Sequence, residues 1–150
     1  MTHRLVQPHH VLRAVLDDVL VRDVLARCDV DVAMLRTDLD LAWWSSVDCP
    51  DVLGEASAGL DLETVRAALE PSRGWAAAWG DRRPSEGTRT LLRAALVRRS
   101  RTGCRRPVAG HVLLAAATSE DPVLRAALTP YRKRLRPASR LVAQWGRRAA

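Results

Sequence analysis

A segment that occurs twice constrains the fold of this 150-residue chain more than any other feature. Residues 10–16 return as residues 111–117, and residues 18–25 return as residues 121–128 after a two-residue insertion. The His and Asp identities between the copies are the least expected by chance, because the chain is rich in Leu, Ala, Val and Arg. A repeat of this kind predicts two related structural units. Seven pairs are identical: His10/His111, Val11/Val112, Leu12/Leu113, Ala14/Ala115, Asp18/Asp121, Arg22/Arg125 and Leu25/Leu128.

Apolar residues recur at helical spacing along almost the whole chain, whereas the period-two alternation of strands is absent. Asp31 and Asp61 each precede a similar apolar stripe and are predicted to cap a helix. Ser85 is predicted to cap a long helix that ends near Gly103. The sequence therefore predicts an all-α fold.

The rest of the second copy is predicted to be an apolar helix over 108–118 and a short partner helix over 121–128. Pro130 and Pro137 are predicted to break the tail before a last amphipathic segment. By length the chain is one domain, residues 1–150. We divide it into a first repeat over about 8–45, a connecting segment over about 46–84 and a second repeat over about 85–146.

Charge is divided unequally between the two halves of the chain. Residues 1–70 carry 6 Arg and 13 acidic residues, a net charge of −7, whereas residues 71–150 carry 18 basic and 4 acidic residues, a net charge of +14. An acidic half packed beside a basic half accounts for this pattern, and a basic face for an acidic partner is the alternative. The N-terminus lacks the apolar run of a signal peptide, and the longest uncharged stretch, 107–119, is too short to span a bilayer. We expect a cytoplasmic protein with no membrane contact.

No catalytic, cofactor or metal site is predicted. The only Lys, Lys133, follows no glycine-rich loop, so a Walker A motif is absent, and neither G-x-S-x-G nor H-E-x-x-H occurs. His3, His9 and His10 are expected to be exposed, because no Cys or carboxylate lies at ligand spacing from them. His10 and His111 are interpreted as structural residues at helix starts. We therefore expect that the chain is not an enzyme.

Basic runs at 98–106 and 132–136 indicate phosphate contacts. The helix over 108–118 carries no side chain suited to reading base edges, so only nonspecific nucleic-acid binding remains open. Trp75 and Trp79 lie four residues apart on a predicted short helix and would share one face. That face either packs over the junction of the repeats or forms a hot spot for a partner.

The repeated segments, together with the predicted cap at Ser85, resemble the Clp amino-terminal domain. This domain is the double helical repeat at the front of Clp-type AAA+ unfoldases. Ser85 stands at the family's capping position, Gly103 at its glycine, and 111–114 at its His-Leu-Leu phrase. The first copy keeps 10–12 and 30–36, which correspond to the His-Leu and G-V-D-L-x-x-L-R phrases. The resemblance covers most of residues 8–145. It implies two pseudo-symmetric four-helix-type repeats packed as one domain, the first repeat lacking its opening helix because only nine residues precede His10.

The resemblance also implies a function. A chain of this type without AAA+ modules would be a non-catalytic protein-binding module, acting as an adaptor, decoy or regulator of Clp-dependent unfolding and proteolysis. Its partners would be Clp ATPase subunits, Clp substrates or peptides. The acid that precedes the His in the family is replaced by His9 and Gly110, which argues against phosphoarginine recognition. Partner binding is assigned to Ser85, Trp75, Trp79, Arg89 and Arg93. The alternative is a basic helical regulator that binds nucleic acid nonspecifically.

Overall fold

The described part of the chain is mostly helical, which confirms the all-α prediction. The computed structural model describes residues 5–46, 60–69, 79–80, 82–102 and 109–149. Its helices are α1 (Pro8–Val15), α2 (Val19–Arg27), α3 (Val32–Ser46), α4 (Leu62–Leu69), α5 (Glu86–Thr102), α6 (Ala109–Ala117), α7 (Pro122–Leu128) and α8 (Arg132–Ala149). A 3-10 turn over Thr129–Tyr131 joins α7 to α8.

Aspartates begin four of these helices. The Asp18 carboxylate accepts hydrogen bonds from the backbone N–H groups of Leu20 and Val21 at the start of α2. Asp31 caps α3, Asp61 caps α4 and Asp121 caps α7 in the same way. The first turn of a helix leaves backbone donors without intrahelical acceptors, and a short carboxylate satisfies them.

The core is centred on α6, which is the most apolar helix in sequence and is buried along almost its whole length. It packs against α5 on one side, α8 on another and α1 on a third. Leu92 of α5, Leu12 of α1 and Leu135 of α8 are all fully buried in this cluster. The apolar helix predicted over 108–118 is thus observed over Ala109–Ala117, and it lies at the centre of the described core.

Helices of the acidic half pack directly on helices of the basic half. The short helix α7 packs against α3, and the long helix α8 packs against α2. The Tyr131 hydroxyl donates to the Asp38 carboxylate, and a guanidinium N–H of Arg134 donates to the Asp29 carbonyl at 3.0 Å. The two halves thus meet through polar as well as apolar contacts.

A short parallel ladder joins the beginnings of two distant helices. Strand β1 (Leu5–Val6) precedes α1, and strand β2 (Arg83–Pro84) precedes α5. Thr88, which is fully buried, donates its hydroxyl to the Val6 carbonyl at 2.6 Å. Two-residue strands give no alternation to detect, so this pairing has no signal in the sequence.

The predicted break at Pro137 is wrong, because α8 continues through this residue. Proline removes the N–H that would bond to the carbonyl of Lys133, four residues earlier. Both Pro137 and Lys133 are exposed, so water can solvate the freed carbonyl. Burial of Leu135 and Ala138 on the opposite face keeps the helix continuous. The other predicted break agrees with the structure, since Pro130 lies in the 3-10 turn.

Two further observations concern helix length and the cysteines. Within the described ranges, no helix combines the length and apolar character required to cross a bilayer. Cys28 is a free, half-buried thiol. Cys49 and Cys104 lie outside the described residues.

Replacing Asp18 with Ala should destabilise the protein by about 1–3 kcal/mol, because one carboxylate both caps α2 and binds Arg66 of α4. The distance from Nη2 of Arg66 to Oδ2 of Asp18 is 2.6 Å, and the Asp18 side chain is only 9% exposed. Urea unfolding followed by circular dichroism would measure the loss. Asp31→Ala is the matched control. Because Asp31 is an exposed cap, its substitution should lower the free energy of unfolding by less. Equal losses in the two variants would contradict the role of the Arg66 contact.

Candidate functional site

One face of α5 collects three of the residues assigned to partner binding. Ser85, Arg89, Arg93 and Val97 follow each other at intervals of four residues, so they share one broad side of the helix. Both arginines are exposed, and Val97 is 51% exposed. We call these four residues the α5 face.

Two hydrogen bonds and one close approach fix the start of this helix. The backbone N–H of Thr88 donates to the Ser85 hydroxyl at 3.2 Å, and the backbone N–H of Ser85 donates to the Val6 carbonyl at 3.0 Å. A Cβ placed on Gly87 would lie 3.1 Å from Pro8 of α1 and 3.2 Å from the carboxylate of Asp121. A side chain at this position would therefore require Pro8 or the Asp121 carboxylate to move by a few tenths of an ångström, so Gly87 favours the close approach of α5 to α1 and to the start of α7.

The opposite side of α5 anchors it in the core. Leu91, Leu92 and Ala95 are buried, and the helix packs along α6. The arginines are consequently held on a rigid support. Two guanidinium groups one helical turn apart can each bind a carboxylate or phosphate in a bidentate manner. Neither Arg89 nor Arg93 has a carboxylate partner among the residues that the structure describes.

The two tryptophans do not join the α5 face. Trp79 is 1% exposed, and its indole N–H donates to the Thr64 carbonyl at the start of α4, at 3.2 Å. It lies in the core, which agrees with the packing interpretation and not with a surface hot spot. Trp75 lies outside the described residues.

The four residues interpreted as structural all lie at helix starts. His10 is the third residue of α1, and its Nδ1 accepts the backbone N–H of Gln7 at 2.9 Å. His111 is the third residue of α6 and is fully buried. Asp31 and Asp61 cap α3 and α4 as described above.

His9 and His10 are buried, so the expectation that they are exposed is wrong. They are 1% and 4% exposed. The ring of His9 stacks on Trp43 of α3 with a centroid distance of 4.4 Å, and the His10 ring lies 4.0 Å from that of His9. Among the residues that the structure describes, neither ring nitrogen of His9 has a hydrogen-bond partner, nor does Nε2 of His10. Trp43 lies more than thirty residues away in sequence, so no local signal indicated this cluster.

Burial makes both imidazoles weak bases. Desolvation, followed by the positive charges of His10 and Arg13, lowers the pKa of His9 from 6.5 to about 3. Desolvation and Arg13 lower the pKa of His10 to about 4. Both rings are therefore neutral at pH 7. They form a buried aromatic contact between α1 and α3.

The described residues contain no group of three or more His, Cys, Asp or Glu side chains arranged to hold a metal ion. The α5 face is the candidate site because its two exposed arginines offer recognition of an acidic group. Compared with protein-family models, curated proteins and solved structures, the chain matches none of them.

Proposed function

We propose that this chain is a non-catalytic protein-binding module that acts as an adaptor, decoy or regulator of Clp-dependent unfolding and proteolysis. Its proposed partners are Clp ATPase subunits, Clp substrates or peptides, and its proposed location is the cytoplasm. The proposal includes two pseudo-symmetric repeats, and the family resemblance of the sequence is its starting point.

One structural observation supports the proposal most strongly. The repeated residues have equivalent positions in both copies: His10 and His111 each lie third in a buried helix, and Asp18 and Asp121 each cap the short helix that follows. The packing is also reciprocal. The short helix α2 of the first copy contacts α8, which follows the short helix of the second copy, and the short helix α7 of the second copy contacts α3, which follows the short helix of the first. Such reciprocity is expected of two related units around an approximate twofold axis.

The α5 face is the proposed contact surface. A charge-assisted hydrogen bond is worth about 1.5–3 kcal/mol, so two exposed arginines on a rigid helix can supply much of the binding energy for an acidic segment. The exposed Val97 adds apolar area beside them. This combination favours a folded or extended acidic protein segment as the ligand.

Affinity capture from native cytosol tests the proposal. The immobilised chain should enrich Clp ATPase subunits or their clients, as measured by quantitative mass spectrometry. Arg89→Gln combined with Arg93→Gln should reduce that enrichment at least about tenfold, the effect of losing 1.4 kcal/mol. Arg22→Gln with Arg125→Gln is the matched control, because both residues are exposed and the charge change is equal.

Two results would count against the proposal. Recovery of neither Clp subunits nor their clients would remove the proposed partner. Equal enrichment by the α5 variant and the control variant would remove the α5 face as the contact surface.

A further inference from the structure

Arginines of the acidic half are largely neutralised within that half. Arg13 pairs with Asp40, Arg27 with Asp23 and Arg36 with Asp17, while Arg66 contacts both Asp18 and Glu63. These pairs leave little free positive charge between residues 5 and 69 of the described chain.

The last helix, α8, carries positive charges that are not neutralised in this way. Segment 132–149 contains no acidic residue. Lys133, Arg136 and Arg140 are exposed, and within the described ranges none of them has a hydrogen bond or ion pair. Arg134 differs, because it donates to the Asp29 carbonyl. We call Lys133, Arg136 and Arg140 the α8 stripe.

The stripe has a regular geometry. Its residues are spaced three and four apart, so they lie on one side of the helix. At a rise of 1.5 Å per residue they span about 10 Å along the axis. Phosphates of one DNA strand follow each other about every 3.4 Å along the duplex axis, so the stripe matches roughly three nucleotides. The buried side of α8, with Leu135 and Ala138, holds the stripe in place.

We propose that the α8 stripe binds the phosphate backbone of nucleic acid without sequence preference. The described side chains on this side of α8 include no exposed large apolar group, whereas a protein interface normally needs an apolar centre. Each member of the α8 stripe is a Lys or an Arg, and roughly half to two-thirds of protein–DNA hydrogen bonds go to phosphate and sugar oxygens. Phosphate contacts confer affinity without sequence information. This surface is separate from the α5 face and does not depend on the proposed Clp partner.

A salt titration of binding tests the inference. The purified full chain is titrated into a fluorescein-labelled DNA duplex, and anisotropy gives the dissociation constant between 50 and 200 mM salt. Three phosphate contacts contribute about −2.7 to the slope of log K against log salt, a loss of about 40-fold over this range. The triple variant Lys133→Gln, Arg136→Gln, Arg140→Gln should lose that part of the slope.

The matched control is Arg22→Gln, Arg83→Gln, Arg125→Gln, which removes three other exposed charges that have no carboxylate partner among the described residues. The control should retain the slope, and circular dichroism should show that both variants are folded. Absence of binding at 50 mM salt, or equal slopes in the two variants, would overturn the inference. Preferential binding of polyglutamate over the duplex would also overturn it, because it would identify an acidic protein as the ligand. The α8 variant should still capture Clp subunits, so the two proposals fail separately.

Discussion

Acidification should destabilise the protein steeply, because His9 and His10 are neutral in the folded state and protonated when unfolded. Their folded pKa values of about 3 and about 4 lie below the ordinary value of 6.5. The unfolded chain therefore binds protons first as the pH falls. The stability that depends on the neutral rings is complete above pH 6.5 and declines as the pH falls towards the folded pKa values. Each histidine contributes a slope of up to about 1.4 kcal/mol per pH unit.

Urea unfolding at a series of pH values between 7 and 4.5 measures this decline. His9→Phe keeps an aromatic ring against Trp43 but removes one titrating group, so it should reduce the slope of the unfolding free energy by up to about 1.4 kcal/mol per pH unit below pH 6. The variant should also gain stability relative to the parent chain at pH 5. The prediction fails if the two proteins have parallel stability profiles over this range.

Loss of the Trp79 side chain should have a comparably large effect. This indole is almost completely buried, and its N–H bonds to the Thr64 carbonyl. Replacing a buried Trp or Phe with Ala typically costs about 3–5 kcal/mol, because packing contacts are lost and a cavity remains. Since domains are stabilised by about 5–15 kcal/mol in total, Trp79→Ala should be marginally stable or unfolded at 37 °C.

Trp44→Ala is the internal control for that experiment. Trp44 is 52% exposed on α3, so its removal should change the unfolding free energy by less than about 0.5 kcal/mol. Trp79→Phe keeps most of the ring volume, so its loss of unfolding free energy should lie between those of Trp79→Ala and Trp44→Ala. Chemical denaturation followed by far-ultraviolet circular dichroism compares all three. Similar losses for Trp79→Ala and Trp44→Ala would contradict the assignment of Trp79 to the core.

Helix positions could be predicted from the sequence because their signals are local. Asp31, Asp61 and Ser85 satisfy backbone donors within three residues of themselves, so a short stretch of sequence contains the whole interaction. The apolar stripes similarly identify the buried sides of α5 and α6. The continuity of α8 through Pro137 was not predictable in this way, because it depends on burial of the opposite side of the helix.

Features that depend on distant partners were missed. His9 gave no local sign of burial, since Trp43 covers it from another helix. The ladder between Val6 and Pro84 joins residues far apart in the chain. Ser85, Arg89 and Arg93 of the α5 face were assigned from the sequence, whereas Val97 was not. The lack of a carboxylate partner for either arginine among the described residues depends on how the helices pack. The ion pairs Arg13–Asp40, Arg36–Asp17 and Arg66–Asp18 likewise join residues far apart in the chain and follow from packing.

Direct titration with a purified Clp ATPase is the measurement that tests the central claim most directly. The fluorescently labelled chain should bind the ATPase saturably, and Arg89→Gln with Arg93→Gln should weaken binding at least about tenfold. The control variant Arg22→Gln with Arg125→Gln should bind as the parent chain does. Absence of saturable binding, or equal affinity of the α5 variant and the control, would contradict the account.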